Sequence, residues 1–144
     1  MTGTVRRVVL LAGALGLAGV AKAADPDLAT TLKAAVEDNL RGYNAEDVDA
    51  ALRSVHKRSP EYDPTKAAMP DQFRDFHVKA ELVDFHYMGH DDEFVVARVK
   101  TRFVGPSGSG FNDNVVDSIV LFHQDGGVWK LWSDEVLGVE LNAK

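Results

Sequence analysis

Asp84 and His86 are the residue pair in this sequence whose types and spacing best suit chemistry. They are two residues apart in a segment that alternates between apolar and polar residues, so a β-strand there places both on one face. The expected register sets them in an otherwise apolar wall, where an acid of raised pKa and an imidazole could act as general base and acid. They are the candidate catalytic pair. The alternative is that both are solvated or hydrogen-bonded and catalyse nothing.

A second set of polar residues could contact a ligand rather than react with it. The register expected for the last two strands places amide, hydroxyl and carboxylate groups on the same side of a sheet, and a tyrosine of the first helix could add a hydroxyl. The alternative is that these groups are solvated at the rim or help to dock a helix. The candidate ligand-binding residues are Tyr43, Asn114, Ser118, Ser133 and Glu135.

Several other chemistries are disfavoured. The 144 residues include no cysteine, which excludes disulfides, thiol catalysis and cysteine-ligated zinc. The histidines form no metal-ligand pattern, because His86 is placed on a strand whereas His90 lies in a polar turn with Asp91 and Asp92. The glycine-rich loop at residues 105–110 joins two strands and lacks the lysine that a phosphate loop needs. We therefore expect no metal and no cofactor.

Two helices are expected to come first. Apolar residues recur at spacings of three and four over residues 28–43, which is typical of an amphipathic helix, and the Asp-Pro-Asp sequence before it favours a helix start. Asn44, with Asp47 three residues later, is similar to an N-cap with a near capping box. It predicts a second, short helix that ends before Pro60.

The next segment shows little sign of regular structure. Residues 59–70 contain Pro60, Pro64 and Pro70 and have no sustained hydrophobic period. We expect a loop here, followed by at most one helical turn over residues 71–75.

Beyond Phe76 the hydrophobic period changes from 3.6 to 2, which predicts a sheet after the helices and therefore an α+β fold. A polar turn, the glycine-serine loop and an Asp-Gly turn separate the expected strands. The strands form two antiparallel hairpins and comprise residues 76–88, 93–104, 111–123 and 128–139.

The expected registers divide the side chains between two faces. Pairing Met88 with Glu93, and His123 with Val128, gives one apolar face toward the helices and a second, amphipathic face outside. The outside face still carries large apolar side chains, which a second subunit is expected to cover. The candidate homodimer interface comprises Phe85, Phe94, Ile119, Leu121 and Trp132.

The N-terminal segment differs from the rest in composition. Two arginines precede an uncharged apolar run over residues 8–20 and then Ala21-Lys22-Ala23, the pattern of a secretory signal peptide cleaved after Ala23. A retained membrane anchor is the alternative, but the run is shorter than the roughly 20 residues that a membrane-spanning helix needs. We expect a periplasmic or secreted protein with one domain, residues 24–144, and no membrane attachment after cleavage.

Charge limits the partners of that domain. The chain has 16 Lys+Arg and 22 Asp+Glu, but residues 1–23 hold three of the basic residues and none of the acids. The remaining part therefore carries 13 basic and 22 acidic side chains, a formal charge near −9. Without a basic stretch to neutralise phosphates, nucleic acid is not an expected partner.

The order of these elements resembles the nuclear transport factor 2-like superfamily, which includes ketosteroid isomerase, scytalone dehydratase and SnoaL-like polyketide cyclases. Residues 43–52, YNAEDVDAAL, are similar to the family's short second helix, and residues 125–131, DGGVWKL, to the hairpin before its last strand. The resemblance implies a cone-shaped, cystatin-like roll, in which N-terminal helices pack on a curved antiparallel sheet around a pocket. It also implies dimerisation through the outer sheet face. Residues 57–75 depart from the family, which usually has short strands and a third helix there.

Three functions remain open on this fold, since the same cone hosts enzymes and plain binding domains. The first is an exported domain that binds a small apolar or amphipathic molecule, or serves as an accessory module, without catalysis. The second is a cofactor-independent lyase or isomerase that transfers a proton through Asp84 and His86. The third is a structural dimerisation domain whose pocket is filled by its own side chains.

Overall fold

The structure, a computed structural model, describes residues 25–141. The expected signal peptide and its cleavage point lie outside these residues and stay predictions. Within residues 25–141, no helix is long and apolar enough to span a membrane. The elements are the helices α1 (Pro26–Asn44), α2 (Val48–Leu52) and α3 (Tyr62–Phe76), and the strands β1 (Lys79–His90), β2 (Phe94–Val104), β3 (Asn114–Asp125) and β4 (Val128–Leu141).

α1 confirms the first expected helix, including its Asp-Pro start. Asp25 is the N-cap, and its carboxylate accepts a hydrogen bond from the backbone N–H of Asp27 at 3.0 Å. Pro26 stands at the first helical position, where its missing N–H removes no helical hydrogen bond. Leu32 and Val36, four residues apart and therefore on one face, are buried against the sheet.

α2 confirms the second expected helix but not its cap. Asp47, rather than Asn44, is the N-cap, and its carboxylate accepts from the backbone N–H of Ala50 at 2.9 Å. The Asn44 side chain instead contacts β1. Its amide nitrogen donates to the carbonyl oxygen of Ala80 at 2.8 Å, and its oxygen accepts from the Ala80 N–H at 2.7 Å. Asn44 therefore fastens the end of α1 to the sheet.

α3 contradicts the expected loop, because a helix covers most of the proline-containing segment. Pro64 lies in its first turn, where a missing N–H is tolerated, and Pro70 lies inside the helix. Met69 and Phe73 are buried four residues apart and pack against Ala51 of α2. Packing of this apolar face stabilises a helix that the prolines alone argue against.

The four expected strands are confirmed, with ends that shift by up to three residues. The sheet is antiparallel in the order β1-β2-β3-β4. Beside β4, the segment after α2 adds a short parallel bridge. The N–H of His56 donates to the carbonyl oxygen of Leu131, and the Leu131 N–H donates to that of Ser54, both at 2.8 Å. The bridge holds this segment against the edge of the sheet.

One side of the sheet, the inner face, packs against α1, and the opposite side is the outer face. The helix-on-sheet core confirms the α+β architecture. The core cluster comprises Leu32 and Val36 of α1 with Val95, Ala97, Val99, Val120 and Phe122 of the inner face.

Bulges in β1 change the register of the first hairpin. Ala80 lies opposite Phe103, but the ladder skips Val83, and Phe85 then lies opposite Val99. A second irregularity follows at Met88, so the expected pairing of Met88 with Glu93 is wrong. Because one extra residue reverses the alternation, the side chains between Val83 and Met88 exchange faces relative to the expectation.

β4 contains two similar irregularities. Asp125, rather than His123, lies opposite Val128. The first irregularity is at Trp132, which the ladder skips: Phe122 lies opposite Leu131, and Leu121 lies opposite Ser133. The second is at Leu137, which the ladder also skips. The first of these bulges exchanges the faces expected for the middle of β4.

Candidate functional site

Asp84 and His86 lie on the outer face, not the inner one. In the ladder, Asp84 lies opposite Lys100 and His86 opposite Arg98, and both acid and imidazole are exposed. The bulge at Val83 is the cause. The apolar surroundings that suggested proton-transfer chemistry are therefore absent, and the expected inner-face position of the pair is wrong. A catalytic role for either residue stays a prediction.

The candidate ligand-binding residues separate into two groups. Asn114 and Ser118 project from the inner face of β3, as expected, and Tyr43 reaches the same side from the end of α1, where its ring lies 6.2 Å from that of Phe103. Ser133 and Glu135 lie opposite Leu121 and Ile119 and therefore on the outer face. Their expected position beside Ser118 is wrong, because the bulge at Trp132 precedes them.

The inner face is uncovered along the second half of β4. In the ladder, Val136, Val139 and Leu141 lie opposite Ser118, Val116 and Asn114, and the three β4 side chains are 51%, 53% and 61% exposed. The buried residues of α3 pack against α1 and α2 instead of covering this surface. We call this surface the inner basin; its members are Asn114, Val116, Ser118, Asp134, Val136, Val139 and Leu141.

Asp134 brings a carboxylate to the inner basin. It lies opposite the core residue Val120, a position that the expected register assigned to the outside. Asp134 is exposed, but the protein atoms around its carboxylate partly desolvate it and raise its pKa, and the negative charges of Glu61 and Glu135 raise the pKa further. Ser118 and Thr101, nearly fully buried, supply hydroxyl groups at the base of the same face. Sequence reasoning missed Asp134 because nothing in the alternation marks the bulge before it.

The Tyr43 side chain lies between α1 and the inner face. Its ring meets that of Phe73 edge-on at 5.2 Å. Burial raises the pKa of the Tyr43 hydroxyl, and the nearby charge of Glu46 adds to this. The phenol is therefore protonated at neutral pH and available as a hydrogen-bond donor.

The outer face carries most of the expected dimer residues. Ile119 and Leu121 are half-buried there, together with Phe94, which lies opposite His123. Trp132, at the bulge, packs edge-on against Phe94 at 5.8 Å. Phe85 is the exception: it lies on the inner face and packs against the core, so its expected position on the outer face is wrong.

A buried histidine lies behind Trp132. His56 is 3% exposed, its Nδ1 accepts from the backbone N–H of Arg58 at 3.1 Å, and its ring lies 5.0 Å from those of His123 and Trp132. The Ser59 hydroxyl donates to the Trp132 carbonyl oxygen and ties the same segment to β4. Sequence reasoning found no partner for His56, because the edge bridge that places it is a tertiary contact. The packing of these rings indicates a structural role.

The family described as the C-terminal domain of anti-sigma-I factor RsgI9 matches residues 34–141. The chain belongs to this family. No curated protein matches its sequence.

Solved structures show that the fold of this RsgI9 C-terminal-type domain is nuclear transport factor 2-like, or cystatin-like. A Nostoc punctiforme protein of unknown function with a cystatin-like fold superposes with a TM-score of 0.65 at 8% identity, over 83% of this chain and 94% of that one. An NTF-2 like protein of unknown function from Shewanella oneidensis gives a TM-score of 0.58 at 11% identity, over 74% and 96%. Bd1075 of Bdellovibrio bacteriovorus gives 0.60 at 12% identity over 74% of this chain, which spans only 40% of Bd1075.

The inner basin of this RsgI9 C-terminal-type domain offers groups that can bind a ligand. In residues 25–141, no group of three or more histidines and acids is placed to hold a metal ion. The inner basin combines apolar valines with the Asp134 carboxylate and the hydroxyl of Ser118. Such a surface can bury an apolar body and orient one polar group.

Proposed function

We propose that this chain is an exported, non-catalytic binding domain whose inner basin takes a small amphipathic ligand. One observation carries the proposal: an apolar stretch of the inner face lies uncovered beside buried and half-buried polar groups. Isolated apolar side chains at a surface need no explanation, but a row of them on the inner face of the sheet supports a binding role.

The polar groups suggest which ligand chemistry fits. Asp134, held near Val120 and next to the charge of Glu61, would gain from a partner that donates a hydrogen bond or carries a positive charge. Ser118, its hydroxyl close to the core, can donate or accept. We propose a ligand with an apolar body and an amine or hydroxyl donor directed at Asp134.

The alternative of proton-transfer catalysis has less support. It rests on Asp84 and His86, which are exposed on the opposite face of the sheet from the basin. The family's name assigns a related domain to an anti-sigma factor, a regulatory protein, and this supports binding over catalysis. A domain of a regulator can act by sensing a ligand without transforming it.

Native mass spectrometry and a thermal-shift screen test the binding role. Protein purified under gentle conditions should retain a small molecule. Alternatively, the midpoint temperature of thermal unfolding should rise when amphipathic amines or alcohols are added. Val136→Arg, which places a large charged side chain in the basin, should abolish the shift. Val104→Arg is the matched control, because Val104 is an exposed strand valine outside the basin. A ligand that shifts both variants equally, or no ligand across a broad library, would contradict the proposal.

Export has its own test, independent of ligand binding. We propose cleavage after Ala23, on the strength of the basic, apolar and small-residue pattern of the N-terminal segment. When the full chain is expressed in a bacterium, the periplasmic or secreted protein should begin at Ala24 in intact-mass analysis. Uncleaved protein in the cytoplasmic fraction would contradict export.

A further inference from the structure

A cleft of about 860 Å³ lies between α1, α2 and the β3–β4 turn, away from the inner basin. α1 contributes side chains between Thr30 and Ala45, the α2 segment contributes residues up to Ser54, and β4 contributes residues 128–130. This volume lies in the range of small-molecule sites, roughly 300–1,000 Å³. Neither the proposed basin ligand nor the outer face accounts for it.

The base of the cleft is closed by contact between the two helices. At Gly42, an added Cβ would lie 2.2 Å from the backbone nitrogen of Ala51, so the helix backbones touch. The Asn39 side-chain amide also donates to the carbonyl oxygen of Ala51 at 2.9 Å. Because these contacts fix α2 on α1, the cleft is part of the packed fold rather than a gap that side chains can close.

Most charged groups around the cleft already have partners. Asp38 and Arg41 pair with each other at 2.6 Å. The Asp47 carboxylate caps α2, and Lys130 pairs with Asp125 at 3.0 Å. The hydroxyls of the two lining threonines are also bonded, since both donate to carbonyl oxygens one turn earlier in α1. These groups are therefore poor candidates for a new ligand contact.

Arg53 is the exception. It lines the cleft and is exposed, and in the described part of the chain it forms no ion pair. Two lysines lie near the same end of the cleft: the hydrogen bond from Lys130 lowers the pKa of Asp125 most, and the charge of Lys57 contributes to the same shift. An anionic group at Arg53 would therefore lie near other cationic side chains, even though the domain as a whole is acidic.

Apart from Ser54, the rest of the lining is apolar. Ala34 and Ala35 of α1 face Val128 and Trp129 of β4 across the cleft. Val128 is 57% exposed, while the half-buried Trp129 both packs against the core and lines the cleft. An apolar chain bound here would cover these side chains, and removing this apolar surface from water would stabilise the complex.

We propose that this cleft binds a free fatty carboxylate. The alkyl chain lies between Ala34 and Val128, and the carboxylate accepts hydrogen bonds from the Arg53 guanidinium. Arginine presents a planar fork of N–H donors that matches a carboxylate, and Arg53 is the one cation without an ion pair among the described residues that line the cleft, which favours a monoanion. The basin, by contrast, offers a carboxylate of its own and suits the opposite charge.

Isothermal titration of the mature chain with dodecanoate, below its micelle concentration, tests the site. We expect saturable binding with one molecule per chain, and weaker or no binding of dodecyltrimethylammonium, which has the same chain and the opposite charge. Arg53→Gln should weaken dodecanoate binding roughly tenfold or more, the effect of losing a charge-assisted hydrogen bond. Arg58→Gln, which removes an exposed charge from the same segment but not from the cleft, should change it little.

A second pair of variants tests the shape of the site. Ala34→Phe fills the cleft from an exposed helix position and should block binding without unfolding the protein, whereas Ala68→Phe on α3 should not. Absence of dodecanoate binding, equal losses in Arg53→Gln and Arg58→Gln, or full binding in Ala34→Phe would overturn the proposal. Loss of binding in Val136→Arg alone would overturn it too, by placing the ligand in the inner basin.

Discussion

Asn44 shows how one side chain can complete a sheet edge. Its amide makes two hydrogen bonds to the backbone of Ala80, at 2.8 and 2.7 Å, in the manner of a neighbouring strand. β1 is an edge strand, so these backbone groups have no strand partner on that side. The Lys79 side chain donates to the carbonyl oxygen of Asn44 and adds a third contact. Asn44 therefore fastens the C-terminal end of α1 to the edge of the sheet, in addition to the packing of α1 on the core.

Asn44→Ala should destabilise the fold by about 1–3 kcal/mol, because it leaves both Ala80 groups without a protein partner. Asn44→Asp should lose a similar amount, since a carboxylate can accept from the Ala80 N–H but repels its carbonyl oxygen. Urea denaturation measures both. Asn112→Ala, at an exposed loop position, is the control. Equal midpoints for Asn44→Ala and the control would show that water replaces the amide without cost.

Asp134 should make stability fall as pH rises. Partial desolvation of the carboxylate, with Glu61 and Glu135 nearby, holds the pKa of Asp134 above its ordinary value, so the folded protein binds its proton more tightly than the unfolded chain does. Stability is then lost as pH rises from the ordinary aspartate pKa through the raised one. Asp134→Asn should therefore be more stable than the parent at pH 7, and the difference should shrink toward pH 3.5.

Asp117 provides a control, because its effect on stability should depend on pH in the opposite direction. The hydrogen bond from Arg98, at 2.8 Å, lowers the pKa of Asp117, so its contribution is lost as pH falls. Asp117→Asn should therefore destabilise the protein at pH 7 and matter less in acid. Denaturant titrations of both variants across this range measure the two trends, and matching trends would contradict the assigned environments.

At the scale of elements, sequence periodicity located the helices and strands but not their irregularities. Ala80 and Leu82 fit one alternation, and Phe85 and Tyr87 fit the other, with the apolar Val83 between them. A bulge allows both alternations to place their apolar side chains on the inner face. The position of the bulge depends on which side chains pack best against the neighbouring strand. The same holds for α3, where burial of Met69 and Phe73 outweighs the prolines. The faces predicted for several candidate site residues were therefore wrong as well, because the strand register determines the face on which each side chain lies.

The absence of cysteine makes the register directly testable. Single cysteines at Asp84 and His86 should react rapidly with a water-soluble maleimide in the native protein, because both positions are exposed on the outer face. A cysteine at Ala97, which is fully buried, should react at least tenfold more slowly, and one at Phe85 should be intermediate. Slow labelling at His86 together with fast labelling at Phe85 would restore uninterrupted alternation and contradict the bulge.

At the scale of the whole molecule, the two faces of the sheet differ in the side chains that they expose and in what covers them. The inner face is divided between the core under α1 and the inner basin. The outer face carries half-buried aliphatic side chains, Ile119 and Leu121, next to the ion pair of Arg98 with Asp117. An apolar strip bordered by charges is typical of a surface that a second copy covers, because the charges fix the alignment while the strip excludes water. We propose that the homodimer forms here.

Ile119→Glu should convert the dimer to a monomer in sedimentation-velocity experiments, because two such carboxylates would be buried near the centre of a symmetric interface. Ile119 is a better choice than Trp132, whose ring also packs against His56 and Phe94 within one chain, so that its loss would disturb the fold as well. Val136→Glu, an equal change of charge on the inner face, should leave the dimer intact. A dimer that survives Ile119→Glu but not Val136→Glu would place the contact on the inner face, and would then compete with ligand binding in the inner basin.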